Sequence, residues 1–345
     1  MAVRSVELRE FSAFADVTLP CVDGLNVFIG ENGTGKSHAM KAVYAVLESM
    51  RAFKLDPKGP ALPQLLEAKL GGVFRPSGEI SRLIRRKHGQ NASYISVDSA
   101  RGSSFKATLS VRGGLKVTKP WGPYRSVFLP SREVLALYPG FTSLYLDREI
   151  SFDETYYDAC LALGRVGLRG PRRAAAEDLA ARLRRALGGH TELKGDEFYV
   201  KFDGDRARME AHLVAEGLRK IATLERLVLN GTLSQNSYLF WDEPEANLNP
   251  KLTTVIADVL CRLATNRTQV FLTTHDYLLL KELDLLTARK QTPPTRFFVF
   301  QRARPGAPVE VAHADRLEDL PSNPISEEFI RLYERKLDSE AEDDS

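Results

Sequence analysis

The sequence predicts an α/β fold with a mixed β-sheet core, an antiparallel β subdomain and an inserted helical subdomain. Three observations lead there. A short apolar run, Leu25, Val27, Phe28 and Ile29, ends at a glycine-rich turn and is followed by an amphipathic pattern. A second apolar run, Leu239-Phe240-Trp241, ends in Asp242-Glu243. Between them, alternating segments read as antiparallel strands, and leucine-rich stretches read as helices.

The turn after Ile29 has the spacing G-x-x-x-x-G-K-S, from Gly30 to Ser37, which describes a phosphate-binding loop between a buried strand and a helix. Gly30, Gly33 and Gly35 tolerate positive φ, so successive backbone N–H groups can converge on one anion. Asn32, Thr34 and His38 complete the candidate nucleotide-binding stretch. Lys36 is expected to reach the outer phosphates, where it would also assist catalysis, and the Ser37 hydroxyl to bind Mg²⁺. After Ser37, Met40, Val43, Val46 or Leu47, and Met50 form an apolar stripe at helical spacing. The N-terminus of that helix would turn its partial positive charge toward the phosphates. The expected ligand is a nucleoside triphosphate.

At 345 residues the chain can form one large domain or two smaller ones. Lys and Arg number 48 against 45 Asp and Glu, so the net charge of +3 does not by itself indicate a nucleic-acid partner. Cys21, Cys160 and Cys261 are far apart and suggest reduced thiols, not a disulfide framework or a zinc site. The first residues lack a continuous apolar stretch, and no segment approaches the roughly eighteen apolar residues of a membrane span. The expectation is a soluble cytoplasmic protein with no membrane partner.

In chain order, Val3–Leu8 and Val17–Leu19 read as strands flanking Phe11 and Phe14, and Leu25–Ile29 as the central strand. Lys54–Pro63, rich in Pro and Gly, reads as a loop, and a basic cluster follows at Arg82, Arg85, Arg86, Lys87 and His88. Ser93–Val97, Phe105–Val111 and Leu115–Thr118 look like antiparallel strands joined by Arg-Gly and Gly-Gly turns. Val127–Leu129 is a buried-looking strand that closes a first lobe, residues 1–135.

Ser151–Leu163 and Pro171–Leu187 read as helices, and residues 136–195 as a helical insertion. Pro171 suits a first turn, and Gly188-Gly189 a helix end. Arg169, Arg172, Arg173, Arg182, Arg184 and Arg185 there form either a phosphate-contacting face or a solvated helix face balanced by acids. The second lobe, residues 196–345, holds the strand Phe198–Phe202, a helix from about Ala215 to Leu229, and the strand Tyr238–Trp241. It continues with the helix Pro250–Ala264, the strands Val270–Thr273 and Phe297–Phe300, and a final amphipathic helix, Ile325–Leu337. The acidic residues Asp338 to Asp344 are expected to fray.

Asp242-Glu243 sits where an open α/β sheet binds ligands, at the C-terminal end of a strand. Adjacent residues of a strand point in different directions, so the two carboxylates can have different jobs. Asp242 is the candidate Mg²⁺ ligand, directly or through water. Glu243 is the candidate base that orients or deprotonates the attacking water. The run Val270 to His275 is a further strand ending in histidine, which makes His275 a candidate γ-phosphate sensor.

These motifs, in this order over nearly the whole chain, resemble the ABC-type ATPases, a P-loop NTPase superfamily. Within it, the chain looks like the stand-alone, non-transporter AAA-family branch that holds the RecF, SMC and OLD-type proteins. Gly30–Ser37 resembles the Walker A loop, Leu239–Glu243 the Walker B strand with its catalytic glutamate, Ala246–Pro250 the D-loop, and Thr273-Thr274-His275 the switch histidine. The segment Val214–Lys220 resembles the signature, whose ideal form is L-S-G-G-Q. It keeps Gly217 and lacks the serine, and Ala215, Glu216 and Gly217 are the expected nucleotide contacts in trans. Asn249 replaces the usual aspartate, and Ser131, Arg132 and Glu133 occupy the place of the Q-loop glutamine.

The resemblance implies ATP and Mg²⁺ as cofactors and a head-to-tail homodimer closed around ATP, or a higher homo-oligomer. No heptads sustain an SMC-like coiled coil, and the roughly seventy residues after His275 contain no D-x-D of the kind an OLD-type nuclease domain would carry. Similar single-module ATPases are paired with a separate effector, often a nuclease, in bacterial antiphage systems. Two other readings stand beside ATP hydrolysis: a scaffold whose ATP is mainly structural, and a RecF-like DNA-repair ATPase that binds DNA through the arginines near residues 82–87 and 169–185.

Overall fold

The computed structural model describes residues 1–85, 91–288, 293–304, 306–321 and 323–343; Arg86, Lys87 and His88 of the basic cluster lie outside the described residues. The chain opens with the hairpin β1 (Val3–Phe11) and β2 (Phe14–Pro20). The strand β3 (Leu25–Gly30) then leads into α1 (Lys36–Leu55) and α2 (Leu62–Phe74). Strands β4 (Ala92–Ser99), β5 (Ser104–Ser110) and β6 (Gly114–Val117) extend the hairpin, and β7 (Arg125–Leu129) returns to the centre. Helices α3 (Phe141–Leu146), α4 (Glu154–Leu163) and α5 (Pro171–Leu187) precede β8 (Gly189–Lys194), β9 (Glu197–Phe202) and β10 (Met209–Glu210). Next come α6 (Glu216–Leu229), β11 (Ser237–Asp242), α7 (Pro250–Thr265), β12 (Thr268–Thr274) and α8 (Tyr277–Thr287). The chain closes with β13 (Thr295–Gln301), β14 (Glu310–Ala314) and α9 (Pro324–Asp343).

The central sheet runs β14–β13–β3–β12–β11–β7, parallel except for β14. A second sheet, β2–β1–β4–β5–β6, is antiparallel, and a small third one runs β10–β9–β8. Parallel strands covered on both faces read as continuous apolar runs, which is why β3, β11 and β12 lack a polar side. Alternate residues still sort by face. Val27, Ile29, Leu239, Trp241, Val270 and Leu272 join the core made with the helices from α4 to α8. Phe28, Phe240, Phe271, Phe298 and Phe300 join the core made with α1, α2 and the antiparallel sheet.

The second set forms a band of rings across the parallel strands. Phe298 lies 5.2 Å from Phe28, Phe28 6.3 Å from Phe271, Phe271 4.9 Å from Phe240, and Phe240 6.2 Å from Phe128. Burying each ring is worth about 1.5–3 kcal/mol, and each pair roughly a further 0.5–1.5 kcal/mol. Helix α1 rests on this band through Tyr44 and is enclosed from its other side by the antiparallel sheet and α2, so residues from Ala42 to Met50 are all buried. The helix that carries the glycine loop is therefore a core element with little freedom to shift alone.

Helix α1 is also tied to the helical segment by polar groups. Lys41 pairs with Asp153 at 2.8 Å, Lys69 of α2 with Glu154 at 2.5 Å and Asp158 at 2.9 Å, and the Tyr44 hydroxyl donates to Asp158 at 2.6 Å. These groups are mostly buried, and each charge has a partner, as burial requires.

The expected fold class holds, with additions. Helices α2, α3 and α8 and strands β8, β10 and β14 join the elements expected from the sequence. Helix α2 presents Leu62, Leu66, Leu70 and Val73 on one buried face and begins inside the stretch expected to be a loop. The helical run ends at Leu187, capped by Gly188 in the left-handed region, and β8 pairs with β9, so the last residues of the 136–195 stretch are sheet. Helix α9 continues past Leu337 to Asp343, into the acidic residues expected to fray.

Candidate active site

Strands β3, β12 and β11 are neighbours, and their registers pair Ile29 with Thr274 and Thr273 with Asp242. The sheet therefore delivers the glycine loop, the acid pair and His275 to one edge. The loop itself needs glycine. Gly30 has φ 138°, and a Cβ there would lie 2.1 Å from the Phe300 carbonyl oxygen of β13. Gly35, at φ 90°, would push a Cβ to 2.9 Å from the Phe14 ring. The Thr34 hydroxyl donates to Glu31 O at 2.8 Å, and the Lys36 ammonium to Gly30 O at 2.7 Å and Glu31 O at 2.9 Å, so the loop coils round its own lysine. Burial lowers the Lys36 pKa, opposed by the negative field of Glu243 and Asp242.

Asp242 Oδ1 accepts hydrogen bonds from Ser37 Oγ at 2.7 Å and from Thr273 Oγ1 at 2.6 Å. Glu243 sits in the left-handed region at φ 49° and donates its N–H to Thr273 O at 3.2 Å. That turn swings its carboxylate to 3.3 Å from His275 Nδ1. Lys36, Ser37, Glu243, Asn32, Gly33, Gly35 and His38 line one cleft of about 490 Å³, with Ser12, Ala13 and Arg302. His38 Nδ1 and Ser12 Oγ lie 2.5 Å apart, tying the β1–β2 turn to the start of α1. His275 lies with Gly30, Glu31 and Asn32 along a neighbouring hollow closed by the first turns of α9.

The turn after β11 is braced from below. Lys220 of α6 is buried and donates to Ala246 O at 2.7 Å, and to Glu243 O and Pro244 O at 3.4 Å each. Burial lowers its pKa against the pull of Glu216, Glu245 and Glu243. Glu245 is buried as well and accepts from the Thr274 hydroxyl at 2.7 Å and the His275 N–H at 3.2 Å. Its other oxygen, Oε2, has no partner among the described residues.

Burial raises the Glu245 pKa, which the Thr274 hydroxyl bond partly offsets. A carboxyl that holds its proton more tightly when folded stabilises the fold in acid. That stability is lost as pH rises from the ordinary glutamate range through the folded value. Glu245→Gln removes this titration and keeps an acceptor for Thr274. The expected result is a smaller fall in melting temperature between pH 4.5 and pH 8, measured by thermal melts; an unchanged fall would show that Glu245 is not the group responsible.

The geometry suits a triphosphate with Mg²⁺. The loop has positive-φ glycines at Gly30, Gly33 and Gly35 and a buried lysine whose neutral carbonyl partners are weaker acceptors than a phosphate. Ser37 and Asp242 offer adjacent hard oxygens. Mg²⁺ typically takes only about one or two carboxylates beside substrate phosphates and water. Among the described residues no group of three or more His, Cys, Asp or Glu could hold a metal ion.

Of the residues expected at the site, Ala215, Glu216 and Gly217 stand apart from this cleft. Ala215 caps α6 and is exposed, and Glu216 is half-buried. Gly217 is buried, and a Cβ on it would lie 3.1 Å from Leu248, 3.2 Å from Leu252 and 3.3 Å from Asn247 O. Its lack of a side chain lets α6 pack under the turn after β11, so the surface this helix start offers consists of Ala215 and Glu216. Arg219 pairs with Glu133 at 2.7 Å, which links the end of β7 to α6.

Sequence reasoning assigned no separate role to Glu245, Arg302, the Thr273 hydroxyl of the switch segment or Lys220 at the end of the signature-like segment. Thr273 and Glu245 lie beside expected residues and could have been found from strand adjacency. Lys220 and Arg302 carry no local signal, because only the packing of α6 and β13 brings them here.

Residues 130–281 match the family model described as "AAA domain, putative AbiEii toxin, Type IV TA system". No curated protein matches the chain. Among solved structures, the SMC head domain from Thermotoga maritima is similar at 13% identity and a TM-score of 0.53, covering 91% of this chain and 99% of that one. An SMC head bound to the C-terminal winged-helix domain of ScpA is similar at 13% identity and a TM-score of 0.54, covering 92% and 98%. An SMC head with an extended coiled coil, bound to a ScpA C-terminal domain derived from Pyrococcus furiosus, gives 13%, 0.52, 92% and 96%.

Proposed function

We propose that this chain, an ABC-type ATPase of the SMC- and RecF-like kind, binds and hydrolyses ATP in the cleft between Lys36 and Glu243. The observation that carries this is the Ser37–Asp242–Thr273 array, which joins the glycine loop to the end of β11 beside the Glu243–His275 pair. Lys36 would exchange the Gly30 and Glu31 carbonyls for phosphate oxygens. Ser37 and Asp242 would hold Mg²⁺, which when bound neutralises phosphate charge. Glu243 would accept the proton of the attacking water. His275, on the exposed side of Glu243, would orient that carboxylate or the γ-phosphate. Most of the rate then comes from position and fixed charge, as in other phosphoryl transfers.

ATP would also join two copies head to tail, each presenting its Ala215–Glu216 edge to the cleft of the other. A separate effector protein, such as a nuclease, would respond to that closure, and a role in bacterial antiphage defence fits such an arrangement. The SMC heads bound to ScpA domains offer a precedent for a partner on this fold. The buried Gly217 favours a second reading, an ATP-bound scaffold with little turnover, since its helix start offers phosphate neither a serine nor a free glycine edge.

Phosphate release from the purified chain with Mg²⁺ and ATP, followed beside mass in solution, separates the two. The expected result is measurable release and an ATP-dependent doubling of mass. Absence of release with and without DNA would leave the scaffold.

A further inference from the structure

Arg302 is a second permanent cation lining the cleft, and the loop motif does not account for it. It stands just beyond β13, whose Phe300 pairs in register with Gly30, so the sheet fixes its place beside the loop. Its guanidinium donates through Nη2 to Gly33 O at 3.3 Å and through Nη1 to Ala307 O at 3.1 Å. Both acceptors are neutral, and the bond to Gly33 O is long. No carboxylate pairs with Arg302 among the described residues, although most buried or half-buried arginines here have one, as Arg51 has Glu48 and Arg219 has Glu133. Lys36 is held in the same way, by loop carbonyls. Two cations therefore face one cleft with only carbonyls as hydrogen-bond partners among the described residues, and a phosphate oxygen is a much stronger acceptor for either.

We propose that Arg302 is a phosphate-binding residue, which leaves the Gly33 carbonyl and pairs with the polyphosphate of the bound nucleotide. The inference rests on the nucleotide-binding reading above and adds to it a cation supplied by the same chain, from a strand outside the motif. The other role open to Arg302 is to brace Gly33. The two roles differ in what lysine can replace: a lysine keeps the charge for a phosphate, but it cannot span Gly33 O and Ala307 O with one planar fork.

The test is calorimetric titration of the full chain with ATP and with inorganic tripolyphosphate, for the parent, R302Q, R302K and K36A. R302Q is expected to bind both ligands about tenfold more weakly or worse, and R302K within roughly threefold of the parent. Affinity of the parent should also fall more steeply with added salt than that of R302Q, a comparison that survives some loss of stability in the variant. Equal affinities in parent and R302Q would overturn the assignment and leave the site itself standing. Equal losses in R302K and R302Q would make Arg302 a brace. Failure of the parent to bind either ligand would remove the site as well.

Discussion

Glu243→Gln is expected to bind ATP as tightly as the parent and to lose turnover about a hundredfold or more, the usual contribution of a positioned general base. The substitution keeps the size of the side chain and removes the carboxylate proposed to accept the proton of water. The left-handed turn at Glu243 is held by its own N–H on Thr273 and by Lys220 on its carbonyl, neither of which the new amide touches. Binding should therefore survive the change. If ATP drives dimerisation, the variant should accumulate as the closed form, because release follows hydrolysis. Single-turnover phosphate release and mass in solution, measured together, check both halves. Parental turnover in this variant would transfer the role of base to another group.

Lys220→Met has the second-largest expected effect, and it acts at a distance from the nucleotide. Methionine fills much of the same space but cannot donate to the carbonyls of Ala246, Pro244 and Glu243. Leaving buried acceptors unsatisfied costs about 1–3 kcal/mol. The thermal midpoint should fall. Turnover should fall roughly tenfold, with less than threefold change in ATP affinity, because the brace sets where Glu243 points and has no contact with the glycine loop. A variant with parental turnover and a lower midpoint would confine Lys220 to structure. A parental midpoint would show that the turn stands without it.

Much of the fold was legible because the apolar patterns and the motifs that end them are strong at the sheet. Three apolar runs ending in a glycine loop, an acid pair and a histidine can meet only if their strands are parallel neighbours, and β3, β12 and β11 are. Helix α2 was hidden by Pro57, Gly59, Pro60 and Pro63, which read as a loop although Pro63 sits in the first helical turn, where its missing N–H costs nothing. Strand β8 was hidden by its start at Gly189, a residue suited equally to ending α5. The site divides in the same way. Residues named by the glycine-loop, acid-pair and histidine motifs come together at one end of the sheet, whereas Lys220, beneath the turn after β11, and Arg302, lining the cleft, are brought there by packing across long sequence separations. Gly217 shows the limit from the other side. A glycine in a signature-like place reads as a phosphate contact, and here it also sits in tight approach to Leu248 and Leu252.

The ties from Lys41, Tyr44 and Lys69 to Asp153, Glu154 and Asp158 have a mechanical consequence. One end of α1 carries the glycine loop, and its flank is tied to α4, so a shift of α1 would carry α4 with it. On the proposed ATPase reading, the outer side of α3 and α4 would be the surface that reports nucleotide state to another protein, well away from the cleft.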